Sequence, residues 1–229
     1  METKQRVDIN TPKIKPWKEV KNMEIHTVIP EITSRNDCIM KRREESFKRI
    51  KEINAPLVMY TDGSATGGTR MGGAAAVITE GAPEEPTELH TIEKKGALIT
   101  CSYEEEVEAM EEAATWIAEN CNQKTKIMIC TDSLSLCMAM KSLNPETDEI
   151  RETLQLHTGN IVMQWVPGHS NIPGNDLADN AAKRATNLLE TPRPITYRSA
   201  CMQIKKTFTD DINHKQTREV YSALSLIHI

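Results

Sequence analysis

The sequence has no apolar run approaching the ~20 residues needed to cross a bilayer. Its opening residues, METKQRVDINTPKIKPW, also lack the apolar stretch of a signal peptide. Both absences point away from membranes and secretion and toward an intracellular place, in cytoplasm or nucleus. The six cysteines, Cys38, Cys101, Cys121, Cys130, Cys137 and Cys201, show no C-x-x-C pairing. Several lie inside apolar runs, so they read as reduced thiols and not as a disulfide frame or a zinc site. No internal repeat is present.

An excess of positive charge is missing too. The formal net charge is −5, unevenly spread. Residues 1–55 carry 13 Lys and Arg against 9 Asp and Glu, a net of +4. Residues 56–190 carry 9 against 21, a net of −12, and residues 191–229 carry 6 against 3, a net of +3. A nucleic-acid binder is expected to be basic, so the acidic middle counts against that class unless metal ions offset part of it. At 229 residues, 38% apolar and 27% charged, the chain has room for one domain with flanking segments.

Residues 1–55 read as a connector broken by Pro12, Pro16 and Pro30, with helical spacing only in CIMKRREESFKRIKEI through Met40, Phe47 and Ile50. From Leu57 the pattern tightens. LVMYTD, GGAAAVIT and ELHTIEKKGALI predict three successive strands, and the acidic EEPTELHTIE predicts a solvated surface. SYEEEVEAMEEAATWIAEN predicts a helix opened by a Ser102–Glu105 capping box. A strand KIMICTD, helical pieces SLSLCMAMKSL and TDEIRETLQLH, a strand IVMQWV and a helix NDLADNAAKRATNLL follow. This order implies an α/β fold with a mixed five-stranded sheet, an antiparallel meander joined to parallel strands through helical crossovers. Beyond Pro192 the pattern weakens. The last six residues, LSLIHI, resemble a sequencing-library adapter translated in frame, which sets residues 224–229 apart from the fold.

Two strands end alike, in MYTDGS and MICTDS, each placing an aspartate after an apolar run: Asp62 and Asp132. Side by side and parallel, these strands would bring both carboxylates to the usual site of an open α/β sheet. Two such charges repel unless a cation sits between them, and oxygen donors without His or Cys point to Mg²⁺ or Mn²⁺. In the helix 102–120, Glu106 is in register with Met110, Ala113 and Ile117, at the edge of the buried face. Glu104, Glu105, Glu108, Glu111 and Glu112 read as a solvated face. In the last helix the apolar stripe is Leu177, Ala181 and Leu188; Asp179 lies off it, sharing a face with Asn175. Trp165 and the Met-rich CMAMKSL read as core.

Together YTDGS, SYEEEVEAM, CTDS and WVPGHSNIPGNDLADNAAKRA, in this order, resemble type 1 ribonuclease H. The likeness is to the version carried by non-LTR retrotransposon reverse transcriptases, over residues 56–190. The resemblance implies a ribonuclease H-like fold and four metal-binding carboxylates, Asp62, Glu106, Asp132 and Asp179. His169 matches the family's mobile catalytic histidine. It further implies two Mg²⁺ ions about 4 Å apart, with Mn²⁺ able to substitute, serving hydrolysis of the RNA strand of an RNA–DNA hybrid. Backbone at Gly63 and Ser64, with the side chains of Ser133 and Asn175, would line the substrate. Asp176 departs from the family's usual Glu, and no basic, Trp-rich gripping insertion or Y-x-D-D polymerase motif is present. The chain therefore reads as a fragment or remnant of a polyprotein, with residues 1–55 a tether to a reverse transcriptase partner. Two alternatives stand beside this reading: a catalytically decayed binding module of the same fold, and an integrase or transposase core.

Overall fold

The computed structural model describes residues 7–8, 20–34 and 36–209. In chain order the elements are β1 (Val7–Asp8), β2 (Met23–His26), α1 (Ile39–Ile53), β3 (Leu57–Thr66), β4 (Arg70–Glu80), β5 (Thr87–Lys95) and α2 (Ser102–Asn120). They continue with β6 (Ile127–Thr131), α3 (Leu134–Lys141), α4 (Asp148–Leu154), β7 (Ile161–Trp165), α5 (Pro173–Ala185) and β8 (Ile195–Thr196). A last helix, α6, runs over 197–209. No described helix is long and apolar enough to cross a membrane.

The main sheet has six strands in the order β2-β7-β6-β3-β4-β5. β3, β4 and β5 form the expected antiparallel meander, and β2, β7, β6 and β3 run parallel. All five expected strands form; the sixth, β2, comes from the segment read as a connector. Its four residues, MEIH, are too few to show a strand period of their own. They become a strand because β7 offers a parallel edge to pair with, while Met23 and Ile25 pack onto the core.

Helices cover both faces, so the central strands are continuous apolar runs. Met59, Ile78, Ile127, Ile129, Ile161 and Met163 point toward α2, α3 and α4. Val58, Tyr60, Ala75, Val77, Met128 and Cys130 point toward α1 and α5. Each such large side chain contributes roughly 1.5–3 kcal/mol on burial. Phe47, Ile50 and Ile53 dock α1 on the second face, whereas Met40, expected on the same stripe, is exposed. The segment before Leu57 is thus part of the domain's packing. The stripe of α5 also differs from expectation: it is Gly174, Ala178, Ala181, Ala182 and Ala185, with Leu177 only partly buried. Small residues let this helix approach so closely that a Cβ on Gly73 would meet the Ala182 carbonyl oxygen at 2.4 Å. α5 ends at Ala185, before Leu188.

The largest departure concerns the glutamates of α2. Glu104, Glu105 and Glu108 are buried, not solvated. Their cover is the stretch 193–199, beyond the point where the sequence pattern weakens. Arg193 pairs with Glu105 at 2.8 Å and Glu108 at 2.6 Å. The Ser199 hydroxyl donates to Glu104 at 2.5 Å, and Lys94 reaches Glu108 at 2.6 Å. Helical periodicity reveals that one face differs from another, but not that a strap from nearly ninety residues away will neutralise it. The expected capping box is absent as well. Cys101 is the cap residue, with no side-chain cap bond, and Glu105 is taken by Thr100 and Arg193. The adapter-like residues 224–229 lie outside the described residues.

Candidate active site

β3 does not stop at Asp62; it runs on to Thr66. What ends there is its partner. Parallel pairing with β6 closes at Thr61↔Thr131, while β3 continues against β4, with Asp62 opposite Ala75. Asp62 and Asp132 are therefore the next residues on two adjacent parallel strands, which lie ~4.8 Å apart. Alternation places both on the face of Tyr60 and Cys130, toward α5. There α5 presents Asn175, whose Nδ2 donates to Asp132 at 3.4 Å, and, one turn on, Asp179.

Glu106 arrives from the other face of the sheet. α2 crosses β3 at Gly63, where an added Cβ would lie 2.2 Å from the Glu106 backbone nitrogen. That approach demands glycine and brings Glu106 to the sheet end. Its carboxylate accepts from the Ser133 hydroxyl. Ser133 also caps α3 by accepting from Leu136 N–H at 3.2 Å. Gly63 and Ser133, expected as substrate-lining residues, both lie against Glu106, and Ser133 also lines the cleft beside it. Ser64, half-buried two residues past Asp62, pairs with Gly73.

His169 sits in the loop after β7, in left-handed backbone with φ 51°, as does Asn171 at 54°. The loop lies tight on Asp132: a Cβ on Gly168 would meet Asp132 Oδ2 at 2.6 Å. All five expected catalytic residues thus gather at one end of the sheet.

The electrostatics bear the mark of crowding. Burial pushes Asp62 up to about 8, with Asp132, Asp179 and Glu106 adding repulsion in that order. Burial also lifts Glu106 to about 7, against the pull of the Ser133 hydrogen bond. Asp132 is raised by burial, partly offset by Asn175 and by the charge of His169. No Lys or Arg pairs with Asp62, Glu106 or Asp132 among the described residues, while Asp179 pairs with Lys183 at 2.5 Å.

Among the described residues, no three His, Cys, Asp or Glu side chains are arranged to hold one ion between them. The hydrogen bonds explain this: Glu106 is turned to Ser133, Asp179 to Lys183, and Asp132 to Asn175. The donor set still fits a hard divalent cation. All four groups offer oxygen, Asp62 is 8% exposed, and the Lys183 pair with Asp179 leaves Asp62, Glu106 and Asp132 without a paired Lys or Arg among the described residues. The buried Asn175 Oδ1, beside Asp132, also lacks a partner among the described residues.

The cluster borders a cleft of about 780 Å³ whose far wall sequence reasoning missed. Thr27, Val28, Thr33, Ser34 and Arg42 line it, facing Tyr103 and Trp165. Trp165, expected as core, packs on the core with one side and donates through Nε1 to the Asp132 carbonyl at 3.2 Å. Tyr103 stands three residues before Glu106 on α2, which places it on the same face. The wall from 27 to 34 has no local signal, since it depends on β2 pairing.

The RNase H family model matches residues 54–187. A search of curated proteins found no match. Among solved structures, the chain is similar to RNase H1 from the halophilic archaeon Halobacterium salinarum NRC-1. That likeness is 17% identical over 57% of this chain and 97% of that one, with a TM-score of 0.46. A foamy viral protease-reverse transcriptase in complex with RNA/DNA hybrid is 20% identical over 58% of this chain and 20% of that one, TM-score 0.49. LC11-RNase H1 in complex with RNA/DNA hybrid is 20% identical over 56% and 98%, TM-score 0.43.

Proposed function

We propose, from the premise that this chain belongs to the ribonuclease H family, that it hydrolyses the RNA strand of RNA–DNA hybrids. The products would carry 5′-phosphate and 3′-hydroxyl ends. The observation that supports this most is the register that sets Asp62 beside Asp132, with Asp179 and Glu106 repelling Asp62 from two further elements. A cluster so unfavourable on its own is kept for what it binds.

Asp62, Glu106, Asp132 and Asp179 are the residues that would hold two Mg²⁺ or Mn²⁺ ions. Such ions, when bound, supply activation of water and charge stabilisation at the leaving 3′ oxygen. The protein's own groups do the rest. Ser133 and Asn175 keep the Glu106 and Asp132 carboxylates at the site, and both carboxylates would turn from these partners to hold the ions. Burial keeps bulk water from screening the cluster. His169, on a Gly- and Pro-containing loop beside Asp132, suits proton handling at the leaving group and product release. The 2′-hydroxyls in the shallow minor groove of the hybrid provide the basis for choosing RNA. We extend the same reading to context: residues 56–190 as the nuclease domain of a retrotransposon reverse transcriptase polyprotein, on the strength of the WVPGHSNIPGN segment.

A hybrid-cleavage assay tests this, with Asp132→Asn as control. The wild-type chain should cut the RNA strand with Mg²⁺ and stop on chelation. Cleavage that survives in Asp132→Asn, or that proceeds without divalent metal, refutes the assignment. Tight hybrid binding without cleavage would instead identify the decayed binding module.

A further inference from the structure

The helix α1 and the loop before it lie outside the family-matched residues 54–187, yet they wall the cleft beside the carboxylates. α1 carries six Lys and Arg against three Glu. Arg42 is its residue at the cleft. Its Nη1 donates to the Gly168 carbonyl at 3.4 Å, a weak contact one residue before His169. Its Nε is buried and has no partner among the described residues. Beside it, the Ser34 hydroxyl accepts from Asn36 N–H at 3.0 Å, which leaves its own proton to donate elsewhere. An arginine with unused donors at the mouth of an acidic site lacks one thing, an anion.

We propose that Arg42 binds a backbone phosphate of the hybrid flanking the scissile one, with the Ser34 hydroxyl as a second donor. This rests on the hybrid nuclease reading above and adds to it a substrate contact from outside the family domain. A guanidinium suits that role because its planar fork donates to two phosphate oxygens at once. Of its neighbours on α1, Lys41, Lys48, Arg49 and Lys51 are each paired with a carboxylate, so the contact rests on Arg42 itself.

The test uses the full chain in an inactive Asp132→Asn background, measuring binding of a fluorescent RNA–DNA hybrid across a salt series. Arg42→Ala should weaken binding about tenfold or more and flatten the salt slope by about 0.9, one phosphate contact. Arg42→Gln keeps a donor for the Gly168 carbonyl but loses the charge, so it should flatten the slope equally; Arg42→Lys should restore most of it. Should Arg42→Ala fail to fold, the Gln and Lys variants carry the comparison. Unchanged slopes in Arg42→Gln overturn the proposal, as does weaker binding with the slope intact, which would mean Arg42 only anchors the His169 loop. A wild-type chain that binds hybrid but never cuts it would sink the nuclease reading and leave the Arg42 contact standing.

Discussion

Replacing Asp62 by Asn should stabilise the metal-free protein, and the gain should grow with pH. Asp62 is buried and held at about 8, against an ordinary 3.8. A carboxyl whose folded value is raised binds its proton more tightly in the folded state. Its penalty is therefore absent below about pH 4, accumulates as pH rises, and is complete above about 8. At 1.36 kcal/mol per pH unit, the ceiling is about 1.5 kcal/mol at pH 5 and about 4 kcal/mol at pH 7. Asparagine carries no charge at any pH, so it escapes this cost, less about 1 kcal/mol for an imperfectly bonded amide. For a chain of this size 1 kcal/mol moves the melting temperature by about 2–4 °C. Thermal melts in EDTA should then show Asp62→Asn nearly level with wild type at pH 5 and about 5–12 °C above it at pH 7. Adding Mg²⁺ should close the gap, since bound ions favour the wild-type fold by mass action. Equal differences at pH 5 and pH 7, or a less stable mutant at pH 7, would refute the crowding argument on which the site rests.

Arg193→Met should cost about 3–5 kcal/mol in urea melts, because it leaves Glu105 buried without its cation and Glu108 with Lys94 alone. A companion Glu105→Gln should recover part of that loss, and no recovery would show that the strap acts through packing alone. Gly63→Ala should destabilise by about 1–3 kcal/mol or more and diminish the Mg²⁺-dependent rise in melting temperature, since its methyl would strike the Glu106 backbone; a neutral outcome would sink the close-approach account. Glu106→Gln should abolish hybrid cleavage, whereas Glu105→Gln should cleave yet melt earlier. Equal activity in the two variants would remove Glu106 from the metal set.

The central sheet was legible because its strands announce themselves twice. Runs such as AAAVI, IMIC and IVM are apolar throughout, and punctuation at Gly81, Asn122 and Pro167 separates them. Glu106 was legible for a related reason: its neighbours at helical spacing, Met110, Ala113 and Ile117, are all buried. The same periodicity misassigned Glu105 and Glu108. A glutamate facing solvent and one facing Arg193 look alike on a helical wheel, because the wheel holds no record of what lies across from it. β2 was missed for the converse reason, as MEIH has no strength of its own and pairs only because β7 leaves an edge open.

While the set of four candidate carboxylates came from the family resemblance, residue type and spacing along the chain alone determined the α/β class, the meander and the crossover helices. Those are consequences of local periodicity, with apolar positions repeating every two or every three to four residues. Tertiary structure alone decided that Asp62 lies mid-strand where pairing with β6 ends, that residues 193–199 neutralise α2, and that residues 27–42 wall the cleft. Each of these joins segments tens of residues apart, and the energy that joins them (pairing at an open edge, a buried charge finding its counter-charge) exists only once both partners are in place.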